Sequence, residues 1–110
     1  MDEDIARIYA CEILLGLEYL HSKGVLYRDL KPDNLLMSPA GHVKLADFGL
    51  SKMNVDESYT SNSFCGTHAY LAPEMLKKSG HGKAVDWYLL GVIIYEMITG
   101  LPPFYADDKD

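Results

Sequence analysis

The chain has 110 residues, 48% of them apolar, and a formal net charge of −6. This length and apolar content predict one small globular domain with a core and exclude a disordered chain. The excess of acids argues against nucleic acid and anionic membranes as partners and favours basic ligands, although acids near the chain ends also fit a helix N-terminus and a hydrated tail.

The first predicted element is an amphipathic helix from Asp4 to Lys23. Gly24 directly after it supplies a stop for the helix. Apolar residues recur along this stretch at helical spacing. They are Ile5, Ile8, Tyr9, Ile13, Leu17 and Leu20.

A small β-hairpin is predicted next. Two short apolar segments, Leu35–Met37 and Val43–Ala46, flank the turn sequence SPAGH. Because a hairpin brings its two ends together, Asn34 should lie near Asp47. We therefore expect Asp29, Asn34 and Asp47 to converge on one point.

The stretch from Phe48 to Pro73 has little periodicity and many hydroxyl side chains. An ordered loop of this length is usually functional, so we interpret it as a regulatory or binding segment. A second helix is predicted to begin near Ala84 or Val85 and to end at Gly100.

This second helix is apolar on every face apart from Asp86 and Glu96. Such a helix belongs in the centre of a large domain, where other elements cover all its sides. One amphipathic helix, a hairpin and a loop are too few to cover it. The pattern therefore predicts that these residues are a piece of a larger domain.

The two cysteines, Cys11 and Cys65, show neither a disulfide framework nor a CxxC zinc spacing. A reduced intracellular setting follows, and we expect a cytoplasmic protein with nuclear access possible. The longest apolar run, Trp87 to Tyr95, is too short for a membrane span, and no apolar leader is present, so no membrane span is expected.

The residues expected to converge carry a consistent chemistry. Asn34 and Asp47 offer only oxygen ligands, which suit a hard cation such as Mg²⁺. Asp29 could orient a hydroxyl and accept its proton, and Lys31 could neutralise charge on a moving phosphoryl group. A single acid in a turn is more often a cap, but a cap does not explain the whole set.

Four ordered motifs carry a family resemblance: YRDLKPDN, DFG at Asp47–Gly49, APE at Ala72–Glu74, and DW at Asp86–Trp87. Together they resemble the catalytic lobe of the eukaryotic protein kinases. FCGT at Phe64–Thr67, YLAPE and AVDW resemble the AGC serine/threonine group. The resemblance implies an α+β fold in which residues 1–110 form part of the C-terminal lobe, mainly helical, with a small β-hairpin and a long activation segment.

In this family pattern Asp29 is the catalytic base and Lys31 assists at the γ-phosphate of ATP. Asn34 and Asp47 would hold Mg²⁺, and Leu36 would lie under the adenine. The resemblance therefore implies ATP and Mg²⁺ as cofactors. Lys31 within DLKPDN resembles the serine/threonine kinases and differs from the tyrosine kinases.

The resemblance also implies a regulatory phosphorylation by an upstream activating kinase. Arg28 and Lys52 are expected to pair with a phosphate on the activation segment, Asp47 to Glu74. Ser63 occupies the position of the phosphorylated residue. Nearby alternatives are Ser58, Thr60 and Ser61, and an unmodified polar loop is a further alternative.

For substrates, the group prefers Arg upstream of the target Ser or Thr, so protein substrates with basic residues are the expected partners. Asp33 and Glu96 match positions that receive this Arg; alternatively, Glu96 is satisfied within the protein. Thr67 and Leu71 match the loop around the residue after the target. Asp86 matches a buried acid that holds the catalytic loop.

No GxGxxG loop occurs in the 110 residues. We therefore interpret the chain as a piece of an active AGC serine/threonine kinase, without its N-terminal lobe. One alternative is a truncated noncatalytic chain that binds a kinase or its substrates as a decoy. Another is an unrelated Mg²⁺ phosphohydrolase, which leaves the APE and DW motifs unexplained.

Overall fold

The computed structural model describes residues 1–53, 68–77 and 81–107 of the chain. In chain order its elements are helix α1 (Glu3–Ser22), strands β1 (Leu35–Met37) and β2 (Val43–Leu45), the short helix α2 (Pro73–Leu76) and helix α3 (Ala84–Thr99). Two 3₁₀ turns cover Pro32–Asn34 and His68–Tyr70. About half of the described residues are helical, and two strands form one small antiparallel sheet, which confirms the predicted combination of helices and a hairpin. Within the described ranges, no helix has both the length and the apolar content required to cross a bilayer.

Helix α1 begins at a side-chain cap. The Asp2 carboxylate accepts a hydrogen bond from the Asp4 backbone N–H at 2.8 Å, and Glu3 and Asp4 place negative charge in the first turn. The chain leaves the helix at Gly24, whose φ of 72° is readily adopted by glycine. The predicted helix is thus confirmed, with each boundary shifted by one residue.

The buried face of α1 differs in part from the expected one. Ile13 and Leu17 are buried as predicted, together with Ala6 and His21. Ile5 and Ile8, in contrast, are about half exposed. The first turns of α1 therefore present apolar surface that the described elements leave uncovered.

Strands β1 and β2 form the predicted hairpin. They pair antiparallel, with Leu35 opposite Leu45 and Met37 opposite Val43. The turn is closed by a hydrogen bond from the Ser38 N–H to the His42 carbonyl at 2.8 Å. The second strand ends at Leu45, one residue earlier than predicted.

Helix α3 has the predicted bounds and ends at Gly100, which has a φ of 94° and donates its N–H to the Glu96 carbonyl at 2.8 Å. One side of the helix is buried, but Trp87, Tyr95 and Ile98 keep 39 to 48% of their surface exposed. The described elements therefore cover only part of this apolar helix, as expected from the sequence.

The core brings together α1, the loop of residues 26–34 (loop 26–34), α2 and α3. Its buried members are Ile13, Leu17, Tyr27, Leu30, Leu71, Ala72, Met75, Val85, Leu89, Leu90 and Ile93. Because Tyr27 and Leu30 are themselves core residues, the polar side chains between them are held on a rigid base.

Candidate active site

A buried carboxylate on α3 holds the start of loop 26–34. Asp86 is fully buried, and its Oδ1 accepts the Arg28 backbone N–H at 2.7 Å. Its Oδ2 accepts the Tyr27 backbone N–H at 2.9 Å and contacts His21 Nε2 at 2.8 Å. Hydrogen bonds from several donors are what a buried carboxylate requires. Asp86 therefore fixes the loop as the resemblance implied.

Arg28 is held in an uncommon conformation. Its φ is 70°, a left-handed value that non-glycine residues adopt only when their surroundings enforce it. Its buried Nε donates to the Leu50 carbonyl at 2.8 Å, whereas Nη1 is buried without a hydrogen-bond partner in the described part of the chain. One donor of a fixed guanidinium is thus left for a further acceptor.

Asp29 and Asn34 meet directly, as predicted. The Asn34 amide nitrogen donates to the Asp29 backbone carbonyl at 2.7 Å and to its carboxylate Oδ2 at 2.9 Å. Both residues are buried: 8% of the surface of Asp29 and 5% of the surface of Asn34 remain exposed. Lys31 Nζ lies 3.9 Å from the other carboxylate oxygen of Asp29. The loop thus presents one acid, one amide and one cation in a single cluster.

Hydrogen bonds hold Ala46, the residue before Asp47, against loop 26–34. The Ala46 N–H donates to the Asn34 carbonyl at 2.9 Å, and the Tyr27 hydroxyl donates to the Ala46 carbonyl. Asp47 follows with a φ of 55°, and its Oδ1 accepts the Gly49 N–H at 3.1 Å. Both the N–H and the carbonyl of Ala46 are therefore hydrogen-bonded, which fixes the backbone that leads to Asp47.

The ring of Tyr27 links loop 26–34 to the DFG segment. It packs edge-on against Phe48 with 5.4 Å between the ring centroids. Burial, with Asp29, Asp47 and Asp86 nearby, raises the pKa of Tyr27 to about 12. Its hydroxyl therefore remains a donor to the Ala46 carbonyl at neutral pH.

The side-chain oxygen atoms of Asn34 and Asp47 are of the type that binds a magnesium ion. Because the Asn34 amide nitrogen faces Asp29, its amide oxygen is directed away from that carboxylate and is the atom available to a cation. The Asp47 carboxylate could offer a second oxygen ligand. Mg²⁺ keeps several waters and needs only one or two protein ligands. In the described ranges, no three His, Cys, Asp or Glu side chains lie close enough to share a metal ion.

A second polar contact joins the 3₁₀ turn His68–Tyr70 to α3. The Tyr70 hydroxyl donates to Glu96 Oε2 at 2.8 Å. Burial, together with Glu96 and then Asp33, raises the pKa of Tyr70 well above its usual value, so the phenol stays protonated. Glu96 is thus partly satisfied within the protein, as the alternative interpretation held, and its half-buried carboxylate retains further acceptor capacity.

The remaining predicted site residues differ in burial and in their place in the fold. Leu71 is buried in the core, and Asp33 is exposed in the 3₁₀ turn before β1. Leu36 is exposed on β1, and Lys52 pairs through its backbone with Leu26. Ser63 and Thr67 lie outside the described residues.

Two contacts of the site residues were not expected from the sequence. His21 contacts the Asp86 carboxylate, and Tyr70 holds Glu96. Each pair joins residues far apart in sequence, so no local pattern indicates it. A polar residue at a core position of α1 was the one available signal for His21.

The comparisons with known proteins agree with this geometry. The protein kinase domain family matches residues 1–110. Ribosomal protein S6 kinase beta of Caenorhabditis elegans is 50% identical over 107 residues, which cover 97% of this chain and 20% of that protein. The cAMP-dependent protein kinase catalytic subunit of Dictyostelium discoideum is 54% identical over 94% of this chain and 15% of that protein.

A third relative, the mouse cAMP-dependent protein kinase catalytic subunit PRKX, is 54% identical over 91% of this chain and 27% of that protein. The chain therefore spans about a quarter or less of the length of these relatives. All of these relatives belong to the AGC group of serine/threonine kinases. The chain belongs to the protein kinase domain family and, within it, to the AGC group.

Proposed function

We propose that residues 1–110 are part of the catalytic domain of an ATP-dependent serine/threonine protein kinase. This kinase would transfer the γ-phosphoryl group of Mg-ATP to Ser or Thr of protein substrates that carry basic residues upstream. The observation that carries the proposal is the cluster of Asp29 and Asn34, held on the buried carboxylate of Asp86. The family match over the whole chain supports it.

We assign a role to each of these residues, which its setting supports. Asp29 orients the substrate hydroxyl and accepts its proton, since its buried carboxylate is fixed by Asn34. Lys31, 3.9 Å from Asp29, places positive charge where the phosphoryl group moves. The Asn34 amide oxygen and Asp47 hold Mg²⁺, which supplies charge neutralisation on the phosphates when bound. Leu36, exposed on β1, would lie under the adenine ring.

Regulation by phosphorylation is part of the proposal. The buried Arg28 Nη1 has no partner among the described residues, and a phosphate oxygen is a suitable acceptor for it. Lys52 would add a second positive charge, and Ser63 is the proposed site that an upstream kinase modifies. Such an arrangement orders a loop only when the phosphate is present.

We propose that two acidic side chains, Glu96 and Asp33, recognise basic substrates. Glu96 keeps acceptor capacity beyond its bond to Tyr70, and Asp33 is exposed before β1. We assign both to the Arg upstream of the target residue. Leu71 and Thr67 would line the site of the residue that follows the target.

Uncovered apolar surface supports a larger domain around these residues. An open apolar cleft of about 500 Å³ lies between α1, the hairpin and α3, lined in part by Ile13, Leu35 and Met97. Exposed apolar surface of this kind is normally covered by further structure. We propose a catalytic domain that extends beyond these residues. The proposed location is cytoplasmic, with nuclear access possible.

A kinase assay on the natural full-length chain that contains residues 1–110 tests the proposal. We expect transfer of labelled phosphate from ATP to a peptide with Arg upstream of Ser. Asp47→Ala should abolish transfer because it removes a metal ligand, whereas Glu18→Ala, at an exposed acid of α1, should not. Substrate binding without ATP binding would instead favour the decoy alternative, and activity retained in Asp47→Ala would overturn the metal assignment.

A further inference from the structure

A carboxylate on helix α1 contacts the hairpin at the start of β2. Glu12 Oε2 accepts the backbone N–H of Val43 at 2.6 Å, and Oε1 contacts His42 Nδ1 at 3.1 Å. The Val43 N–H, with His42 beside it, holds the pKa of Glu12 below its usual value. The Glu12 carboxylate is therefore ionised at neutral pH and is a strong acceptor for the first residue of β2.

The hairpin needs such an external contact. Each strand has only three residues, and an isolated two-stranded hairpin is marginally stable in water. A slip of one residue in β2 would displace the following chain by about 3.3 Å. Asp47 comes only two residues after β2 ends, so the position of this strand determines the position of the proposed metal ligand.

Helix α1 and strand β2 also contact each other further along both elements, at Gly16 and Leu45. A Cβ added to Gly16 would lie 3.2 Å from Leu45 Cδ1, so helix and strand are in close approach there. Four residues of helix, from Glu12 to Gly16, advance about 6 Å. Two residues of strand, from Val43 to Leu45, advance nearly the same distance, about 6.6 Å. Helix α1 therefore contacts both ends of strand β2. Glu12 makes the polar contact at Val43, and Gly16 makes the apolar contact at Leu45.

We infer that Glu12 is a positioning residue for metal binding, which acts by fixing β2 to α1 and thereby placing Asp47 beside Asn34. This inference rests on the proposed function. At the end of the segment next to Asp47, the Ala46 N–H donates to the Asn34 carbonyl, and the Ala46 carbonyl accepts from the Tyr27 hydroxyl. The segment that carries the metal ligand is thus anchored at its start by Glu12 and at its end by loop 26–34.

The test measures the Mg²⁺ dependence of phosphoryl transfer in the natural full-length chain. Glu12→Ala should raise the Mg²⁺ concentration for half-maximal activity roughly tenfold, the low end of the loss seen when groups that orient metal ligands are removed. The rate at saturating Mg²⁺ should change much less. Glu18→Ala, on the same helix and exposed, is the matched control and should match the unsubstituted chain.

Two further variants separate positioning from folding. Glu12→Gln keeps the length and an oxygen that can accept the Val43 N–H, so its Mg²⁺ requirement should return close to that of the unsubstituted chain. Glu12→Asp keeps the charge but is shorter by one methylene group, so its Mg²⁺ requirement should rise above that of Glu12→Gln. The difference in Mg²⁺ requirement between Glu12→Asp and Glu12→Gln tests the positioning role even if Glu12→Ala fails to fold.

An Mg²⁺ requirement in Glu12→Asp equal to that of Glu12→Gln would overturn the inference. So would a Glu12→Ala variant that loses thermal stability while its Mg²⁺ requirement stays that of Glu18→Ala. If Asp47→Ala abolishes activity and the Glu12 variants behave as the control, the inference alone fails. If the unsubstituted chain transfers no phosphate, or Asp47→Ala remains active, the proposed function fails and the inference with it.

Discussion

Removal of the Asp86 carboxylate should destabilise the protein strongly. Asp86 is fully buried and accepts two backbone N–H groups, those of Tyr27 and Arg28, while His21 contacts the same carboxylate. In Asp86→Ala both backbone donors become buried without an acceptor. Alanine is also too small to fill the space, so water or a collapsed loop must replace the carboxylate.

The magnitude follows from these contacts. Each buried donor without an acceptor costs about 1–3 kcal/mol, so two of them cost about 2–6 kcal/mol. For a domain of typical size this corresponds to a fall in Tm on the order of 10 °C. Asp86→Asn retains one acceptor oxygen and should show a smaller fall.

Thermal unfolding of the natural full-length chain measures this effect. Asp107→Ala is a suitable control because Asp107 is exposed and contacts only the Tyr105 hydroxyl, at 3.3 Å, among the contacts found in the described ranges. The control should stay within about 0.5 kcal/mol of the unsubstituted chain. An Asp86→Ala variant as stable as the control would show that the buried carboxylate does not hold the loop.

Two further predictions concern tyrosines. Tyr70→Phe removes the donor to Glu96, so the KM for a peptide with upstream Arg should rise about fivefold, equivalent to about 1 kcal/mol, with kcat unchanged; an equal rise for a peptide without Arg would contradict the role of Glu96. The pKa of Tyr27, raised to about 12, means that the folded state keeps a proton that the unfolded state loses above pH 10. Stability should therefore fall between pH 10 and pH 12, and denaturant titrations should show a smaller fall in Tyr27→Phe; an identical fall would contradict the assignment.

The long elements could be predicted from sequence because their signals are local. Helix α3 follows from an apolar run that ends at Gly100, and the hairpin follows from two apolar segments around a Pro and Gly turn. The short helix α2 has only four residues, fewer than periodicity can reveal, and its one local sign is Pro73 in its first turn.

In the candidate site, too, local contacts could be predicted from the sequence and long-range contacts could not. Asp29 and Asn34 lie five residues apart, and their contact could be predicted from the motif and the hairpin together. The hydrogen bonds from Val43 to Glu12 and from Tyr70 to Glu96 join elements that only the tertiary fold brings together. Local sequence patterns contain no information about such contacts, because they depend on the packing of distant elements.

Phosphoryl transfer by the natural full-length chain, compared with its Asp29→Asn variant, tests the central claim most directly. The asparagine keeps the size of the side chain and can still accept a hydrogen bond, but it cannot serve as the base. A general base contributes about 10²–10⁴-fold to the rate, so kcat should fall by that factor while the variant still binds Mg-ATP. An Asp29→Asn variant with the kcat of the unsubstituted chain would contradict the account.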